Sequence, residues 1–71
     1  MNKENNLVSV VLPVYNSEET IEKSLESILN QTYNNIEILL IDDGSTDNSL
    51  EICERYEDNY SNVRLFKNYK N

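Results

Sequence analysis

Two short stretches of this 71-residue chain carry side chains with complementary chemistry. The first is Pro13-Val14-Tyr15-Asn16, where an apolar run ends in a proline and an aromatic ring. The second is Asp42-Asp43-Gly44-Ser45, where four consecutive apolar residues, Ile38 to Ile41, give way to two carboxylates. A ring such as that of Tyr15 offers a flat face on which a base can stack, worth about 1–3 kcal/mol. An ionised carboxylate such as Asp43 can only accept hydrogen bonds, so it selects a ligand edge that donates one, for example the ring N–H of uracil. Brought together, the two stretches would make a pocket for a nucleotide base. Taken alone, Asp-Asp-Gly-Ser is also an ordinary strand-to-helix turn.

The flanking sequence supplies elements that bring them together. Leu7 to Val14 is β-branched and nearly continuously apolar, which suits a strand covered on both faces. Pro13 would remove a ladder bond inside a central strand, so the strand is expected to end around Leu12. Asn16 or Ser17 is then the expected cap of a helix, with Glu19 completing a capping box and Glu18 at the positive end of the dipole. Ile21, Leu25, Ile28 and Leu29 fall on one helical face, and the helix should stop between Gln31 and Asn34. A second strand spans Ile36 to Ile41, with Gly44 allowing the sharp turn after it. A second helix runs from about Asn48 to Asp58, with Leu50, Cys53 and Tyr56 spaced by three and Cys53 read as a small core residue. A turn over 59–62 leads to a third strand, Val63 to Phe66.

This β-α-β-α-β order predicts an α/β fold with a Rossmann-like parallel sheet and two right-handed crossovers. Parallel strands end at one edge of the sheet, where such folds bind ligands. That places the loops after the first and second strands side by side.

Composition narrows the classes further. Through Val63 there are 13 acidic and 3 basic residues, and the net charge is −7, which argues against non-specific nucleic-acid binding. With one cysteine and no histidine, the sequence supports neither an internal disulfide nor a Cys/His zinc site. No apolar run is long enough to span a membrane, and residues 1–6 read as a frayed polar terminus rather than a signal peptide. Dinucleotide binding through G-x-G-x-x-G is excluded, because the chain has a single glycine and it follows the second strand.

Three strings in order, V-S-V-V-L-P-V-Y-N, then S-I-L-N-Q-T-Y at 27–33, then I-E-I-L-L-I-D-D-G-S-T-D, resemble the amino-terminal part of family 2 glycosyltransferases. The resemblance runs from about Leu7 to Lys67. It implies the amino-terminal half of a GT-A nucleotide-binding domain over residues 7–71, and inverting sugar transfer from a nucleotide donor, often UDP-linked. Carried over by position, the nucleotide-binding set is Pro13, Val14, Tyr15, Asp43 and Asp42: Pro13 and Tyr15 frame the uracil ring, Asp43 reads the base, and its neighbour Asp42 supports the turn. The family's divalent metal (Mg or Mn) is held by a later D-x-D motif, and its general base also lies downstream. Neither has a counterpart before Asn71, so this segment is expected to bind the donor base without catalysing alone. The resemblance also implies a cytoplasmic location, at the inner membrane face in some members.

Two other classes compete with that reading. One is an interaction module that keeps the motifs without a ligand. The other is a receiver-like phospho-acceptor, which is disfavoured because receivers place their acidic pair after the first strand. An unpaired sheet edge and the aromatics Tyr33, Tyr56, Tyr60, Phe66 and Tyr69 suggest self-association.

Overall fold

The computed structural model describes residues 6–31 and 35–68. Residues 1–5 of the terminus expected to be frayed, and the ring positions Tyr33 and Tyr69, lie outside the described residues. The elements run β1 (Val8–Val14), α1 (Ile21–Leu29), β2 (Ile36–Asp42), α2 (Ser49–Asn59) and β3 (Val63–Lys67). All three strands are parallel, in the order β1-β2-β3, with Val14 paired to Asp42 and Asp42 to Lys67. The expected Rossmann-like alternation is present.

Alternation of side chains along each strand separates the sheet's two faces. On β2, Ile36, Ile38, Leu40 and Asp42 are buried, while Glu37, Leu39 and Ile41 are only partly covered. Ile36, Ile38 and Leu40 pack with Ile21 and Leu25 of α1 and Cys53 of α2, with Val14 and Val63 completing the core. Both crossovers step across the sheet in the same direction, and right-handed connections of that kind put both helices on one side. The opposite side stays open, with Val11 56 % and Phe66 45 % exposed. Coverage of β1 on both faces, expected from its apolar run, is therefore not found among the described residues.

Pro13 also departs from expectation, because β1 continues through it to Val14. Val8 donates its amide to Asn35 on the β2 side, and Asp43 donates to the carbonyl of Val14. In a parallel ladder this alternation points the backbone groups of even-numbered β1 residues at β2 and those of Pro13 at the open edge. The missing N–H costs no ladder bond there.

The α1 helix starts at Ile21 rather than just after residue 16 or 17. Its N-cap is Thr20, which makes no side-chain capping bond. The carbonyl of Ser17 takes the amides of Thr20 and Ile21, forming a turn ahead of the helix. At the other end α1 stops at Leu29, earlier than expected, where the Gln31 amide tightens onto the carbonyl of Ile28.

Candidate functional site: the loops at the strand ends

Because Val14 and Asp42 are paired, the loops after β1 and β2 leave the sheet side by side. The Asp43 amide donates to the Val14 carbonyl at 2.9 Å, fixing Asp43 one residue from Tyr15 across the strands. Gly44 has φ +78°, and a Cβ there would touch nothing within 4 Å, so the backbone conformation, not space, favours glycine.

Strand alternation sends the two carboxylates in opposite directions. Asp42 faces the helices and is 3 % exposed. Its Oδ2 accepts the Ser45 amide at 3.2 Å, closing the turn, while Oδ1 is buried with no partner among the described residues. Burial, with the negative charges of Asp42 and then Glu54 adding to it, pushes the Cys53 thiol up to about 11. Cys53 is fully buried, in keeping with a packing role. Asp43 is exposed, and its Oδ1 accepts the Asn68 side-chain amide at 3.1 Å.

Of the five sequence-predicted site residues, Pro13, Tyr15 and Asp43 are exposed, with Tyr15 at 60 %. Val14 and Asp42 are buried beneath them. An exposed ring and an exposed carboxylate at one sheet edge can together stack and read a planar base. Val14 reaches that edge only through its backbone, and Asp42 only through the turn it holds.

The residues expected to cap α1 instead tie the two loops together. Asn16 has φ +47°, a left-handed conformation that asparagine tolerates better than most residues. Its Oδ1 accepts the Thr46 amide at 2.8 Å and the Thr46 hydroxyl at 3.4 Å, and its own amide donates to Ser45 Oγ at 3.0 Å. The Ser17 amide donates to Ser49 Oγ at 2.6 Å. The Glu18 amide donates to Asp47 Oδ2 at 3.2 Å, and Glu18 Oε1 accepts the amide of Asn48, the N-cap of α2. Glu18 thus serves the helix after the other loop. Asp47 Oδ1 accepts the Ser49 amide at 2.9 Å. Partial desolvation acts to raise the Asp47 carboxyl, but bonds from Ser49 and from the Glu18 amide outweigh it and hold it below its ordinary value.

Sequence reasoning missed this joint and missed Asn68. Local capping rules cannot see bonds that join residues 29 to 32 positions apart. The signal for Asn68 was the register of β3, which sets it beside Asp43. A separate cleft of about 170 Å³ lies between the helices, lined by Glu22, Glu26, Arg55 and Tyr56 among others. A Glu22–Arg55 ion pair at 2.8 Å and a Tyr56–Glu26 bond at 2.6 Å already occupy its polar groups.

Among the described residues no three Asp, Glu, Cys or His side chains are placed to hold a metal ion. Glu18, Asp43 and Asp47 bond backbone amides or Asn68, and Asp42 accepts the Ser45 amide through Oδ2 while its buried Oδ1 has no partner among the described residues. They do not fit the divalent metal that the family resemblance implies. No helix among these residues is long and apolar enough to cross a membrane.

Sheet order, crossover direction and a polar strand-end edge define a Rossmann-like α/β unit. Comparison with known proteins gives the family. The model for glycosyl transferase family 2 matches residues 9–71, and the chain belongs to that family. It is 52 % identical over 59 residues to glycosyltransferase GlyG of Streptococcus pneumoniae, covering 83 % of this chain and 20 % of that protein. The structure of TarS 1-349 from S. aureus superposes with a TM-score of 0.81 at 34 % identity, over 93 % of this chain and 20 % of that one. A mannosyltransferase from Pyrobaculum calidifontis, solved with GDP-Man and Mn²⁺, matches in fold with a TM-score of 0.80 at 23 % identity, over all of this chain and 22 % of that one. The chain thus spans about one fifth of the length of these proteins.

Proposed function

We propose that this segment binds the base of a nucleotide-sugar donor, a UDP-sugar by preference, for inverting glycosyl transfer. The supporting observation is the backbone bond from Asp43 to Val14, which joins the strand ends that carry an exposed carboxylate and, one residue after Val14, an exposed ring. The base stacks on Tyr15 with Pro13 at its edge, and Asp43 accepts its ring N–H. Asn68 holds Asp43 Oδ1, leaving Oδ2 for the ligand. Buried Val14 and Asp42 support the pocket through the backbone and the 42–45 turn.

Transfer itself requires a base to deprotonate the acceptor and, in the family's usual chemistry, a cation to stabilise the departing diphosphate. The described residues offer no cluster for that cation. We therefore assign donor recognition to this segment and the transfer chemistry to the part of the relatives that it does not span.

Titration of isotope-labelled chain with UDP, followed by amide NMR, tests the reading. Peaks around Tyr15 and Asp43 should move. Asp43→Ala should weaken binding about ten-fold or more, since a hydrogen bond to a charged group is worth about 1.5–3 kcal/mol. CDP, whose ring nitrogen accepts where that of uracil donates, should bind more weakly than UDP. A dispersed spectrum that ignores every nucleotide would overturn the proposal and favour an interaction module.

A further inference from the structure

The ring of Tyr15 and the carboxylate of Asp43 belong to different loops, and a base can meet both only if the loops keep a fixed separation. The Asp43–Val14 bond holds their roots. Beyond it, β1 has ended and Tyr15 is 60 % exposed, so the path of residues 15–16 depends on contacts made from the loop itself.

Asn16 makes those contacts with the most groups. Its side-chain oxygen receives both the amide and the hydroxyl of Thr46, while its backbone amide donates to Ser45. The two directions of bonding fasten one residue to consecutive positions on the facing loop, which restricts rotation as well as separation. The backbone at Asn16 has φ +47°. Few side chains tolerate that conformation, and fewer also carry a short acceptor that can reach across. Asparagine and aspartate satisfy both demands. Glycine satisfies only the first, and alanine satisfies neither.

We propose that Asn16 is a positioning residue, which sets Tyr15 against Asp43 by bracing the β1 loop on Ser45 and Thr46. The inference rests on the base-binding reading above and adds the residue that fixes its geometry. Asn16 need not touch the nucleotide, and its effect reaches the ligand through Tyr15.

Three variants of the full chain separate this role from simple stabilisation. Asn16→Gly keeps the left-handed backbone and removes the acceptor. It should expose the Thr46 amide to rapid hydrogen exchange, change the residual dipolar couplings of Tyr15 relative to Asp43, and raise the Kd for UDP about ten-fold. The core amides of Ile38 and Leu40 should keep their dispersion. Asn16→Asp restores the acceptor and should return Thr46 protection, the couplings and the affinity to within about three-fold of the starting chain. Ser45→Ala removes only the bond donated by the Asn16 amide, and should shift the couplings in the same sense by less. It decides the matter if the glycine variant does not fold.

Loss of Thr46 protection in Asn16→Gly with unchanged couplings and unchanged Kd would overturn the proposal. So would failure of Asn16→Asp to restore the couplings. If the unsubstituted chain binds no UDP, the base-binding reading fails separately. The couplings, measured without ligand, still decide whether Asn16 sets the two loops: a change in Asn16→Gly supports it, and none overturns it.

Discussion

The sheet's two faces are built from similar residues and have different fates. On the covered face Val14, Ile38, Leu40 and Val63 meet two helices and are almost completely buried. On the open face the same three strands present Val11, Pro13, Leu39, Ile41 and Phe66, which are exposed or only partly covered. Residue type does not distinguish them, since isoleucine and leucine occur on both sides of β2. Crossover handedness does, because two right-handed steps in one direction put both helices together. Stability should therefore reside on one face. The other is apolar surface that contributes little to holding the chain folded.

Substitution on the covered face should have the largest effect. Leu40 is completely buried at the centre of the middle strand. Leu40→Ala removes its packing and leaves a cavity, at a cost of about 2–5 kcal/mol. A domain of this size has roughly 4–11 kcal/mol of total stability at ordinary values per residue. The variant should lose a large fraction of that, visible as a drop in the urea midpoint with little change in slope. A loss below 1 kcal/mol would mean that the covered face is not the main source of stability.

Phe66→Ser probes the open face and should cost much less. Phe66 is 45 % exposed, and its defined partner is the Arg64 guanidinium, 5.9 Å from the ring centre. An exposed cation–π contact is worth about 0.5–1 kcal/mol and the half-burial of the ring adds about 1 kcal/mol, so the loss should lie at or below the bottom of the Leu40→Ala range. Sedimentation of the same variant also tests the self-association expected from the sequence. A dimer fraction that falls in Phe66→Ser assigns pairing to the open face. A fraction that does not change assigns it to an outer edge of the sheet, at β1 or β3, and a clean monomer at high concentration counts against both.

The contrast between faces also explains what could be read from the sequence. The order of elements was legible because Ile38–Ile41 is a bounded apolar run and Ile21, Leu25, Ile28 and Leu29 repeat at helical spacing. These are local signals. The end of β1 was not legible, because the cost of Pro13 depends on which side of it carries a neighbouring strand, and sequence alone does not supply that. Residues Asn16, Ser17 and Glu18 have the chemistry of helix caps. Their amides, and the side-chain oxygens of Asn16 and Glu18, are taken instead by Ser45–Ser49, about thirty positions away. The placement of Asp43 and Tyr15 at one sheet edge was legible because the parallel order sets their loops together. The bond from Asn68 to Asp43 required the register of β3.

Acid should produce the smallest of these effects and shows whether the strand-end loops belong to the covered face's cooperative unit. Asp47 accepts the amides of Glu18 and Ser49, and its carboxyl is held below the ordinary value of 3.8 despite partial desolvation that acts the other way. A carboxyl depressed in the folded chain stabilises it above the unfolded value, and that contribution fades as pH falls through the lower folded value. The joint should thus be intact at pH 5 and loosen only below 3.8. Because the side chain is only half-buried, solvent screens its bonds and the effect should stay local. Amide exchange followed down this range should show Glu18 and Ser49 losing protection while Ile38 and Leu40 keep theirs. If all four lose protection together, the loops and the covered face open as one unit, and the division of the molecule into a stabilising core and a separately braced site is wrong.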